Sequence, residues 1–182
     1  MTARLKPVTP ESATGEAKAA LDAVQSRMGR VPNTFQLMAN SPAALKAYLA
    51  FSDQLSKGLL DAQMRERIAI AVAETHGCEY CLSAHVAIGK SVGLSDDELM
   101  KARQQQSSDP KADAAMSFVR DVLVRKGSII DADLEEARTA GLTDGEIVEL
   151  VANLALNIFT NYFNLVSKAE NDFPPVKLAF PV

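Results

Sequence analysis

Tryptophan is absent from the 182 residues, and only two cysteines, two histidines and three tyrosines occur. With so few cysteines no disulfide scaffold can hold the chain together, so a hydrophobic core must. The material for one is present, since 47% of the residues are hydrophobic. A basic excess is also missing, the net charge being −4 and the pI about 5.2. Such a chain offers no positive field to nucleic acid or to an anionic membrane surface. No run of about eighteen apolar residues is available to span a bilayer, and the N-terminal segment lacks the apolar stretch of a signal peptide. The expectation is a cytoplasmic protein whose partners are small molecules or other proteins, with neither nucleic acid nor membrane among them. In that reducing compartment a permanent structural disulfide is not expected. Two cysteines three residues apart therefore point to redox catalysis or metal binding.

Strand-like alternation and Asn-Gly hairpin signals are missing as well. Apolar spacing predicts an all-α chain instead. Residues 1–15, rich in Pro, Thr and Ser, read as an N-terminal arm. Helices are predicted over about 16–28, from Pro42 to Lys57, from Asp61 to Glu74 and from Cys78 to Ser91. Four more fit 96–105, 110–125, 131–139 and 144–170, and a short apolar turn fits Phe35 to Ala39. Ser41-Pro42 is a cap with proline at the first helical position. Ser95-x-x-Glu98 and Thr143-x-x-Glu146 match the capping box, in which each side chain satisfies the other's free N–H. The prolines after Asp172-Phe173 prevent a helix there, so 172–182 reads as a C-terminal tail. The whole, 1–182, is expected to form a single helical domain. Arm and tail suit lying across a neighbouring subunit, so a homo-oligomer of unspecified number is expected.

Asp61-Ala-Gln-Met-Arg-Glu66 resembles Asp144-Gly-Glu-Ile-Val-Glu149, and at the same offset Cys78-Glu-Tyr-Cys81 falls on Asn161-Tyr-Phe-Asn164. The pattern fits either a decayed internal helical repeat or a chance likeness of two amphipathic helices.

The chemistry concentrates in Cys78-x-x-Cys81-x-x-x-His85. A thiol attacks as its thiolate, which requires lowering a free pKa of about 8.5. A helix N-terminus near Cys78 supplies unpaired N–H groups and a favourable dipole. At roughly 100° per residue, Cys78, Cys81 and His85 fall within an arc of about 60°. His85 follows Cys81 by the spacing at which helical side chains touch, so its imidazole can move the thiol proton. Either Glu66 or Glu74 can supply the carboxylate that orients it, and helical geometry does not choose between them. A break at Gly77 would let the preceding helix fold back, carrying Glu66 over the pocket.

The stretch from Arg65-Glu66-Arg67 through Cys78-Glu-Tyr-Cys81-Leu-Ser-Ala-His85 resembles the core of the alkylhydroperoxidase AhpD-like, carboxymuconolactone decarboxylase superfamily, and within it the peroxidase-related branch. The likeness extends from Val31-Pro32-Asn33 to Asp172-Phe-Pro174. It implies an AhpD-like helical fold, homo-oligomeric assembly, and a thiol peroxidase without cofactor or metal. It selects Glu66 as the proton-relay carboxylate, Cys81 as the sulfur that attacks peroxide, and Cys78 as the resolving thiol. A hydroperoxide substrate and a dithiol or thioredoxin-like protein reductant follow as partners. Tyr80 departs from the pattern, standing where the resemblance leads one to expect a second histidine. Its hydroxyl is a poorer base at neutral pH, and nearby His76 is the candidate substitute.

Plainer readings stand beside these. The cysteines can be packing residues, and Cys78, Cys81, His76 and His85 together can be read as a zinc site, although their spacing fits no standard pattern. Arg65-Glu66-Arg67 alone reads as a solvated charged face, and Glu74 as structural. Tyr80 reads as a pocket wall, and Phe159, Tyr162 and Phe163 as core or subunit interface. A carboxymuconolactone decarboxylase-type enzyme, which needs no dithiol, and a non-catalytic redox-sensing oligomeric module are the alternative functions.

Overall fold

The computed structural model describes residues 3–180. Among them are nine α-helices and no strand. In chain order these are α1 Gly15–Met28, α2 Asn33–Met38, α3 Pro42–Leu55, α4 Ala62–Thr75, α5 Glu79–Ser91, α6 Asp96–Arg103, α7 Pro110–Arg125, α8 Asp131–Thr139 and α9 Asp144–Ser167. The all-α expectation is borne out. No helix among the described residues is long and apolar enough to cross a membrane.

Capping residues set the starts. The side chains of Ser41, Asp61, Ser95, Asp109 and Thr143 each accept the N–H three residues on, a contact worth about 1 kcal/mol. Thr143 and Glu146 form the complete reciprocal box. At Ser95 only the forward half forms, because the Glu98 carboxylate is taken by Arg67, Ser107 and Ser108. Two ends differ from expectation. The predicted turn at Phe35–Ala39 is the short helix α2, begun by Pro32. The helix predicted to reach 170 stops at Ser167, where Lys168 turns left-handed at φ 51°.

Helix α4 lies at the centre, packed against α5, α6, α7 and α9, and every residue from Arg67 to Glu74 is buried. Its Ile68 and Val72 face a cluster with Met116, Val119, Leu150 and Leu154. Ile70 and Ala73 face a second cluster that holds Cys78, Tyr80, Cys81 and Leu82. Fully burying an Ile or Leu of this kind stabilises by about 1.5–3 kcal/mol. A third cluster joins α1, α2 and α3 through Leu21, Val24, Phe35 and Leu45.

Arm and tail lie along their own chain. Arg4 N–H donates to Ser167 O at 2.8 Å and Val8 N–H to Gln36 O at 2.9 Å. Ala169, Phe173, Val176 and Leu178 pack on the cluster that contains both cysteines. The physical reason is backbone satisfaction: Val176 N–H donates to Ser83 Oγ, and the Ala179 and Phe180 N–H groups donate to Glu74 Oε1. Residues 1, 2, 181 and 182 of the predicted arm and tail lie outside the described residues.

Candidate redox site

Gly77 creates the site. Its φ of 69° is left-handed, a conformation that costs a residue with a Cβ about 1–2 kcal/mol. Cys78 N–H returns to Ala73 O and Gly77 N–H to Glu74 O, the paired bonds that close a helix and redirect the chain. Helix α5 therefore starts at once, with Cys78 as its N-cap.

Cys78 and Cys81 are joined as a disulfide, their Cα atoms 5.3 Å apart. The Cys81 N–H also donates to Cys78 Sγ at 3.3 Å. Both residues are buried, at 2% and 3% exposure, so reactivity depends on what reaches them. One turn along α5, His85 Nδ1 lies 2.8 Å from Glu66 Oε2 on α4. A carboxylate only accepts, so Nδ1 carries a proton, and in the neutral imidazole Nε2 is then the nitrogen with the lone pair. The Gly77 turn thus brings Glu66 to His85.

The charged triplet around Glu66 is not a solvated face. Arg67 is buried and gives both Nε and Nη2 to Glu98 Oε2, at 3.1 and 2.9 Å. Arg65 reaches back to the Leu60 carbonyl. Burial opposes ionisation of Glu98, but hydrogen bonds from Ser107, Ser108 and Arg67 outweigh it and hold its carboxyl at about 2.

A cavity of about 90 Å³ opens over the pair, walled by Cys81, His85, Tyr80, Phe35, Tyr48, Phe173 and Asn164 among others. Cys81 lines it; Cys78 does not. Most of the wall is apolar, and its polar atoms are connected. Tyr80 Oη donates to Asp172 Oδ1 at 2.8 Å and accepts Thr34 N–H at 3.4 Å. Thr34 Oγ1 donates to Asn164 Oδ1 at 2.7 Å, and Asn164 Nδ2 donates to Cys81 Sγ at 3.3 Å. Asp172 Oδ2 is held by Arg30 and by Asn33 N–H, while the Arg30 guanidinium stacks 4.4 Å above the Phe173 ring. Burial, and then the bond to Asp172, push the Tyr80 hydroxyl far above the ordinary phenol range. Burial, with the nearby Glu66 charge, pushes Tyr48 up to about 12. Both phenols stay protonated at neutral pH.

The structure leaves His76 and Glu74 elsewhere. His76 Nδ1 bonds to Val72 O at 2.9 Å and its ring meets Tyr162 edge-on; it does not line the cavity. Glu74 is 3% exposed, pairs with Arg103 and receives the tail's N–H groups. Among the described residues no group of three or more His, Cys, Asp or Glu is placed to hold a metal ion.

Sequence reasoning did not single out Thr34, Asp172 or Arg30. They are neutral or ordinary surface types, far from the motif in sequence. Asn164 carried one signal, its alignment with Cys81 at the internal offset. The two residues thus paired across 83 positions touch. Glu149, the counterpart of Glu66, instead clamps Leu59 and Leu60 N–H. The offset places Thr160 where the first segment has Gly77, and α9 runs through unbroken for 24 residues.

Residues 42–123 match the model of the carboxymuconolactone decarboxylase family. A curated Haemophilus influenzae protein of uncharacterized function is 51% identical over 45 residues, which is 24% of this chain and 40% of that protein. The alkylhydroperoxidase AhpD core of an uncharacterized peroxidase-related protein from Ralstonia eutropha JMP134 superposes with a TM-score of 0.84. It shares 23% identity, with 93% of this chain and 92% of that chain covered. The debrominase Bmp8 bound to 2,3,4-tribromopyrrole superposes with a TM-score of 0.78 at 17% identity, covering 94% and 93%. This is the AhpD-like helical fold. Since proteins described by different reactions share it, the fold does not name the reaction and the site must.

Proposed function

We propose that the protein is a metal-free thiol peroxidase and disulfide reductase. The reading is carried by one juxtaposition: Cys81 and His85 share a cavity wall, with Glu66 behind the imidazole and Cys78 bonded beneath. In the reduced protein the Cys81 thiolate attacks the outer oxygen of a hydroperoxide. An S–O bond forms, the O–O bond breaks, and the departing alkoxide takes a proton to leave as an alcohol. His85, held by Glu66, is the group placed to supply that proton and to receive the one from the thiol. Cys78 thiolate then displaces hydroxide from the Cys81 sulfenic acid, and the hydroxide leaves as water. The disulfide is the two-electron oxidised product, and an external dithiol reduces it by two exchanges.

Tyr80 has no part in the relay, because its proton is committed to Asp172. A peroxidase without the second histidine therefore relies on His85 alone. The test is thiol counting. Reduced protein should show two free thiols per chain, and none after one equivalent of an organic hydroperoxide. Two thiols persisting would overturn the proposal.

A further inference from the structure

We infer that Asn164 is the hydrogen-bond donor that stabilises the thiolate of Cys81, and that Thr34 fixes its orientation. The inference rests on the reading of Cys81 as the attacking sulfur. Three observations carry it. Asn164 is 6% exposed on α9 and donates Nδ2 to Cys81 Sγ at 3.3 Å. Its Oδ1 is occupied by Thr34 Oγ1 at 2.7 Å, and Thr34 is itself 7% exposed. Both line the cavity that exposes Cys81.

The chemistry selects this orientation of the amide. A thiolate only accepts, so the amide must present N–H to it; the Thr34 hydroxyl then donates to the remaining oxygen. The sulfur of a disulfide is a weak acceptor, whereas an anionic sulfur is a strong one. The donor therefore favours the reduced, ionised state of Cys81 over both its thiol and its disulfide. A hydrogen bond to a charged group, isolated from water, is strong enough to move a thiol pKa by about one unit or more. Among the described residues no side-chain donor is placed on Cys78; its sulfur accepts the Cys81 backbone N–H of its own helix. Asn164 thus distinguishes the two sulfurs, which helix geometry alone does not.

The test uses the full chain in a Cys78→Ser background, so that Cys81 is the single thiol. Its alkylation rate by iodoacetamide is measured from pH 5 to 10. Asn164→Ala should raise the midpoint by about one pH unit and slow alkylation at pH 7 by several-fold to tenfold. The rate at high pH should be unchanged. Thr34→Val, which leaves the amide in place but unanchored, should shift the midpoint the same way by less, and it carries the test if Asn164→Ala does not fold. In the reciprocal Cys81→Ser background, Asn164→Ala should leave the Cys78 midpoint where it was. An unchanged Cys81 midpoint, or equal shifts at both sulfurs, would overturn the inference. No peroxide enters the measurement, so its outcome is separable from that of the peroxidase assay.

Discussion

Glu66 and His85 stand nineteen positions apart in the chain and share a 2.8 Å hydrogen bond across the Gly77 turn. The bond fixes which imidazole nitrogen is basic. Replacing Glu66 with Gln should let the ring adopt the wrong tautomer and lower peroxide turnover by about 10²-fold. His85→Gln should cost at least as much, and the double variant no more than His85→Gln alone. Diamide, an oxidant that needs no proton relay, should still close the disulfide in each. Steady-state peroxide consumption beside diamide titration checks this. Full loss of diamide oxidation would mean that the variants disturb the sulfurs themselves.

Gly77 carries the second expectation. Gly77→Ala forces a Cβ into a φ of 69° and should destabilise by about 1–2 kcal/mol. Because that turn sets the α4–α5 angle, turnover should fall by more than the stability loss explains. Urea unfolding and peroxide assays on one preparation separate the two. A stability loss with full turnover would show that the turn tolerates the change without moving His85.

Tyr80→Phe tests the division of labour. Its hydroxyl donates to Asp172 at the start of the tail, and the proposed relay does not use it. Turnover of a small hydroperoxide should stay within a few-fold. Stability should drop by about 1–2 kcal/mol, and protease cleavage within 168–180 should speed up. A loss of turnover near that of His85→Gln would return the hydroxyl to the proton path.

Acid should act through Glu98. Its folded-state value of about 2 lies below the ordinary 4.5, so the unfolded chain binds its proton first as pH falls. The stabilisation is therefore complete above about 4.5 and is lost between there and about 2. Glu98→Gln leaves Arg67 buried without its charge partner and should cost on the order of 3 kcal/mol at pH 7. The variant should also show a flatter dependence of melting temperature between pH 4.5 and 2. An unchanged slope would move the acid sensitivity to other carboxylates.

The lactone-decarboxylase alternative has its own outcome. Cys78→Ser/Cys81→Ser should abolish turnover under the peroxidase reading, and a carboxymuconolactone decarboxylase activity surviving in it would favour the other.

Much of the fold was legible because its signals are local. Ser41-Pro42, Asp61 and Thr143 announce helix starts through their own side chains, and Gly77 and Gly93 announce breaks. The end of α9 was not, since Lys168 takes a left-handed conformation without the glycine that usually marks one. Arg67 read as part of a solvated charged face and Glu98 as half of a capping box, because burial by pairing leaves no periodic trace. At the site, the dithiol and His85 were readable from helical spacing, whereas Glu66 needed the family resemblance to prevail over Glu74. Thr34, Asn164 and Asp172 join the motif only through tertiary packing, across 46 to 92 positions of chain. Neutral amides and hydroxyls carry no pattern that reaches so far.

Residues 169–178 form a clasp, in which Ala169, Phe173, Val176 and Leu178 pack on the cluster that holds both sulfurs. A small oxidant can enter by the cavity while the clasp stays shut. Under the proposed reading, a protein-sized thiol would meet a segment anchored at Ser83 and Glu74. If the proposed reduction by a protein dithiol holds, its rate should therefore respond to substitutions in residues 169–180 that leave both cysteines untouched.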